Sequence, residues 1–136
     1  PPPRQRIEHA LSARTVRKHP QLVDRLASLL EESPPDLDAW REQAAAGARY
    51  TNRGRAGNIR ARTLVVHGSD DTVVDPRNAA LLAATIPDAD LAVLPGAGHL
   101  LFWEQPDEFV SAVAGFLEAS PARGAAGARA YAMAPR

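Results

Sequence analysis

An α/β fold built around a pair of parallel strands is what these 136 residues predict, on three observations. Residues 63–67 and 91–94 are short apolar runs without polar alternation, the pattern of strands covered on both faces of a parallel sheet. Between them, residues 76–86 set Ala79, Leu82, Ala83 and Ile86 at helical spacing along one stripe. The two runs lie about thirty residues apart, the size of one strand–helix–strand unit. Such a unit implies parallel pairing through a right-handed crossover.

Composition narrows the class. The apolar content of 45% is compatible with a folded core, and with no cysteine the chain has neither a disulfide framework nor a thiolate metal site. The histidines stand at 9, 19, 67 and 99, without metal-ligand spacing. No apolar run approaches the ~20 residues of a membrane span and no signal peptide opens the sequence, so no membrane partner and a cytoplasmic setting are expected. The net charge is zero but unevenly spread: residues 1–62 hold twelve Lys/Arg against seven acids, and residues 63–120 hold Arg77 against nine. The basic residues of the first part interleave with acids at helical spacing. That reads as a solvated helix face rather than a nucleic-acid surface.

Element by element, residues 4–50 read as helices. Leu22, Leu26, Leu29 and Leu30 follow the spacing of one buried stripe, with Pro20 in the first turn of their helix. Ser33-Pro34-Pro35-Asp36 resembles a capping box opening a third helix, whose Leu37, Trp40, Ala44 and Ala48 read as a core face. A glycine-rich stretch without periodicity follows, giving a hinge at 53–62. After the second strand, Gln105 and Pro106 open a last helix with Phe109, Val113, Phe116 and Leu117 facing inward. Residues 119–136 hold too few large apolar side chains to offset ordering entropy and are expected to be disordered.

The chemistry gathers where the two strands end. Gly68-Ser69-Asp70-Asp71 follows the first, and Pro95-Gly96-Ala97-Gly98-His99 the second. In an open parallel sheet, functional groups collect beyond the carboxyl ends of the strands. A carboxylate there fixes the tautomer of a histidine and stabilises its imidazolium, and Gly96 and Gly98 allow the sharp turn that brings the ring into a shared cleft. An acid and a histidine are two members of a Ser-His-Asp triad. No Gly-x-Ser-x-Gly occurs and the one methionine is Met133, so the sequence reads as a C-terminal piece of an enzyme. Asp70 reads as a turn residue, His67 as a satisfied structural group, and His9 and His19 as members of a charged helical face. Glu104 reads as a carboxylate stabilised by the dipole of the last helix, and Phe102 and Trp103 as packing. Val74, just past the acid turn, and Leu100, directly after His99, are the candidate substrate-lining residues.

Taken together, residues 59–74, Leu82-Ala83 with Ile86-Pro87, the run from Leu94 to His99, and Glu104 with Pro106 and Phe109 resemble the C-terminal third of the α/β-hydrolase fold. Residues 1–52 are less specifically similar to the helical lid (cap) that such enzymes insert before their last two strands. The resemblance implies that residues 63–118 are the C-terminal part of the catalytic core, that Asp71 is the triad acid and that His99 is the triad histidine. The nucleophile would lie in the N-terminal part of the same fold, the partner this piece needs. The implied reaction is hydrolysis of a small-molecule ester, lactone or carbon–carbon bond next to a carbonyl, with no cofactor and no metal. The lid is similar to that of enol-lactonases and simple carboxylesterases. Two rival readings stay open: a non-catalytic binding protein on this fold, and a dehalogenase-type enzyme with an aspartate nucleophile. Family members often carry proline where this chain has Arg62 and Asp75.

Overall fold

The computed structural model describes residues 1–51, 54–119 and 129–131. Four helices come first: α1 (Pro3–Ala10), α2 (Ala13–Lys18), α3 (Pro20–Glu32) and α4 (Leu37–Arg49). The α/β part follows as β1 (Thr63–Gly68), α5 (Arg77–Thr85), β2 (Ala89–Leu94), α6 (Leu101–Glu104), α7 (Pro106–Glu118) and β3 (Arg129–Tyr131). No helix among the described residues is long and apolar enough to cross a membrane.

Local chemistry sets most boundaries. Prolines sit in the first turns of α1, α3 and α7, where a missing N–H costs nothing. Ser12 caps α2 by accepting from the Thr15 N–H. The cap of α4 is Asp36, whose Oδ1 accepts from the N–H groups of Asp38 and Ala39. Ser33 instead closes α3, which corrects the capping-box expectation. Within the expected hinge, residue 53 lies outside the described residues and Arg55–Asn58 form a single 3-10 turn. That turn is anchored, because Ala56 is buried with Ala83, Ile86 and Ala89.

β1 and β2 pair in parallel, in register from Thr63 opposite Ala89 to Gly68 opposite Leu94. A third strand extends the expected two: β3 pairs parallel to β2, giving the order β1-β2-β3. It falls inside the tail expected to lack order; residues 120–128 and 132–136 of that tail lie outside the described residues. β1 is at a sheet edge among the described residues and is half-buried along most of its length, not enclosed on both faces as its apolar run suggests.

Three apolar clusters hold the elements together. Ile7, Leu11, Val23 and Leu26 join α1 to α3. The Ala56, Ala83, Ile86 and Ala89 cluster sits under α5, and Leu94, Ala97 and Leu101 pack with Val66 and Phe109 beneath the site. The stripe on α3 is rotated from expectation: Val23, Leu26 and Ala27 are its buried residues, while Leu29 is exposed. Leu117 on α7 is also exposed, and Ala112 is the buried residue of that helix. The larger departure is α4, which has no buried residue and leaves Leu37 60% and Trp40 51% exposed. An apolar stripe states that a face is to be covered, and does not name the cover.

Candidate active site

Because β1 and β2 end in register at Gly68 and Leu94, the turns that follow them start side by side. Three hydrogen bonds stitch these turns together. The Ser69 N–H donates to the Leu94 carbonyl at 3.0 Å, and the Asp70 N–H to the Ala97 carbonyl at 2.9 Å. The Gly96 N–H donates to Ser69 Oγ at 2.7 Å. The approach is close enough to require glycine at 68, where an added Cβ would lie 2.3 Å from the Ala97 carbonyl oxygen. Asp70 is exposed and accepts from the Ser69 hydroxyl, a turn role as expected.

Asp71 turns inward and is 7% exposed. Its Oδ1 accepts from the N–H groups of Val73 at 2.8 Å and Val74 at 2.9 Å. Its Oδ2 lies 3.0 Å from Nδ1 of His99. Burial pushes this carboxyl up, but hydrogen bonds from the Val74 N–H, from His99 and from the Val73 N–H, with the charge of His99, outweigh it. The net position is below the ordinary carboxylate value. Just beyond, Asp75 accepts from both the backbone and side chain of Arg77 at the start of α5, and these bonds hold its carboxyl down at about 2.

Since a carboxylate only accepts, the His99 nitrogen facing it carries the proton, and a neutral ring keeps Nε2 as an acceptor. The His99 side chain is 41% exposed and lines a cleft of about 730 Å³. Arg6, His9, Leu37, Trp40 and Val73 line the same cleft. Trp40, read as core, therefore stands in the wall of the cleft, as does His9, to which the sequence assigned no role. The substrate-lining expectations also shift. Val74 is drawn into the acid turn through its backbone, and Val73 lines the cleft. Leu100 packs against the Ile7, Leu11, Val23 and Leu26 cluster and donates its N–H to the Ala10 carbonyl.

Two residues near the pair make contacts that the sequence did not reveal. Glu104 faces back toward the histidine loop: its Oε1 accepts from the Gly98 N–H at 2.8 Å. Its Oε2 accepts from the Ser12 N–H at 3.1 Å and from the Thr15 hydroxyl at 2.6 Å. The carboxylate thus joins the α1–α2 turn to the residue before His99, where an added Cβ on Gly98 would meet the Ser12 nitrogen at 2.5 Å. The second is His67, whose Nε2 lies 3.1 Å from Oδ2 of Asp71 and 3.1 Å from the Val74 carbonyl oxygen. Its place near the end of β1, three residues before the acid turn's Asp70, was the available signal. Phe102 contacts Trp103 and Phe109 with ring centroids 6.4 and 6.2 Å apart, while Phe102 and Trp103 both remain exposed.

A parallel sheet with a buried acid and a glycine-flanked histidine at its carboxyl edge defines a hydrolase-type α/β architecture. Residues 8–106 match the family model described as alpha/beta hydrolase fold, and the chain belongs to that family. Among curated proteins it is 32% identical over 88 residues to a pimeloyl-[acyl-carrier protein] methyl ester esterase of Nitrosospira multiformis, covering 65% of this chain and 34% of that protein. It is 46% identical over 55 residues to a 2-hydroxy-6-oxo-6-phenylhexa-2,4-dienoate hydrolase of Burkholderia cepacia, covering 40% of this chain and 19% of that protein. Among solved structures, the N-acyl homoserine lactone degrading enzyme Est816 superimposes with a TM-score of 0.68 at 31% identity, covering 83% of this chain and 45% of Est816. The chain therefore spans about a third or less of the length of these two curated relatives.

Proposed function

We propose that this chain supplies the acid and the general base of a serine-type hydrolase acting on an ester, a lactone or a carbon–carbon bond next to a carbonyl. The observation that carries the reading is the 3.0 Å contact from Asp71 Oδ2 to His99 Nδ1, with the ring open to the cleft. Asp71 holds the tautomer and balances the imidazolium. His99 Nε2 takes the proton of a nucleophile as it attacks the carbonyl, then gives it to the leaving group. The nucleophile and the oxyanion donors come from the N-terminal part of the same fold, since no Gly-x-Ser-x-Gly occurs in these residues. Helices α1–α4 act as a lid, with Leu37 and Trp40 turned to the apolar part of the substrate. The named relatives support this reading, as the names of all three carry a carbonyl compound: a methyl ester, an oxo-dienoate and a lactone.

The test uses the full-length protein, assayed on a panel of simple esters, lactones and vinylogous diketones. Activity rises with pH as the imidazole loses its proton, and His99→Ala removes both that dependence and nearly all turnover. Retained activity with an unchanged pH profile would assign the base to another group.

A further inference from the structure

We propose that His67 is a positioning residue for Asp71, a second imidazole that clamps the acid turn and shares the carboxylate's charge with His99. This rests on the catalytic reading of Asp71 and His99. The His67 side chain is 15% exposed, and its Nε2 has two acceptors within 3.1 Å, the Val74 carbonyl and Asp71 Oδ2. A nitrogen between two acceptors carries the proton. It donates to the carbonyl, while the carboxylate oxygen lies beside the same N–H. Val74 closes the loop from its other end, donating its N–H to Asp71 Oδ1. The carboxylate is thus held at one oxygen by the Val73 and Val74 peptides and flanked at the other by two rings. It cannot rotate away from His99 without leaving His67 as well.

A histidine that only satisfied the Val74 carbonyl would have no need of the carboxylate. The ring's charged surroundings are Asp71 and Asp75 from the acid loop, Arg77 of α5 bound to Asp75, and His99 from the loop after β2. β2 places uncharged Val93 beside it, and Phe109 of α7 and Val66 of β1 pack against one apolar cluster. One negative charge therefore serves two imidazoles. With His67 in place, only part of that charge is left to the His99 ring.

The experiment compares pH profiles of kcat/KM for the full-length enzyme with His67→Gln and His67→Phe, alongside His99→Ala. Glutamine keeps a donor for the Val74 carbonyl but cannot carry charge. It lowers kcat about threefold and moves the acid limb up by about half a pH unit, because the whole carboxylate charge then stabilises the His99 imidazolium. Phenylalanine removes the clamp too: kcat falls about tenfold, as for other residues that orient a reacting group, KM stays within about twofold, and the limb moves likewise. The limb is independent of how much enzyme folds. An acid limb unmoved in both variants, in an enzyme that His99→Ala inactivates, overturns the role of His67 alone. Full activity in His99→Ala overturns the catalytic reading and this inference with it.

Discussion

One oxygen of Asp71 accepts from two peptide N–H groups, and the other lies 3.0 Å from Nδ1 of His99 and 3.1 Å from Nε2 of His67. Asp71→Asn replaces an acceptor of the His99 N–H by a group that also donates, which favours the wrong tautomer. Turnover should drop by about three to four orders of magnitude, while Asp70→Asn, altering only a turn hydrogen bond, costs far less. Steady-state kinetics of the two decides between them, and a larger loss at Asp70 reverses the assignment. The same bonds link stability to acid. Asp71 binds its proton more weakly folded than unfolded, so its contribution is full above the ordinary carboxylate value of about 4 and is lost as pH falls through the lower folded value. Urea midpoints measured from pH 6 to pH 3 should fall less steeply for Asp71→Asn than for the parent. The choice of Asp71 over Asp70 came from the resemblance, whose register sets the acid three residues after Gly68, and the structure buries Asp71 while leaving Asp70 exposed. The part of His67 was not legible, because a histidine closing an apolar strand looks the same whether its ring meets a carbonyl alone or a carboxylate as well.

Arg62 shows how an element is secured by a residue outside it. Just before β1, its guanidinium donates to the carbonyls of Phe116 and Ala119 at the end of α7, lies 3.4 Å from Asp90 and covers the Phe116 ring at 3.9 Å. It thereby satisfies carbonyls that the end of a helix leaves open. Arg62→Ala should destabilise the full-length protein by about 2–4 kcal/mol, from the lost charged hydrogen bonds and the stranded Asp90. Chemical denaturation measures this, and a loss under about 1 kcal/mol would show that the contacts are dispensable. In the sequence Arg62 stood out only as a non-proline where proline is frequent. β1 and β2 were legible as short unbroken apolar runs, and α5 and α7 as apolar stripes at helical spacing. β3 was not, since Arg129-Ala130-Tyr131 carries no pattern of its own and becomes a strand by pairing with the free edge of β2.

For the whole molecule, the exposed face of α4 and the edge of β1 predict how these 136 residues behave alone. Leu37 and Trp40 are more than half exposed, and among the described residues β1 is paired along one side only. On the proposed reading the nucleophile lies outside these residues, and the acid–histidine pair alone has nothing to activate. The isolated chain should show no turnover of short-chain nitrophenyl esters above background, and should bind dyes that report apolar surface. Adding the N-terminal part should restore both solubility and activity, whereas hydrolysis by the pure chain alone, with a cooperative melt, would overturn this expectation. The α/β class was readable from two strands and a helix. The cleft was not, because Trp40 and His9 come from helices whose own patterns are those of ordinary packing and solvation.

The stitching of the acid turn to the histidine loop, through Ser69, Asp70 and Gly96, fixes the acid–base distance inside one pair of adjacent strands. In the proposed enzyme, dimensional error arising elsewhere has a single place to accumulate: the gap between His99 and the atom it deprotonates. Substitutions where the two parts of such an enzyme abut should then misalign proton transfer while leaving the basicity of the imidazole intact. Sequence drift across that joint would be read as slower chemistry at an unaltered pH optimum.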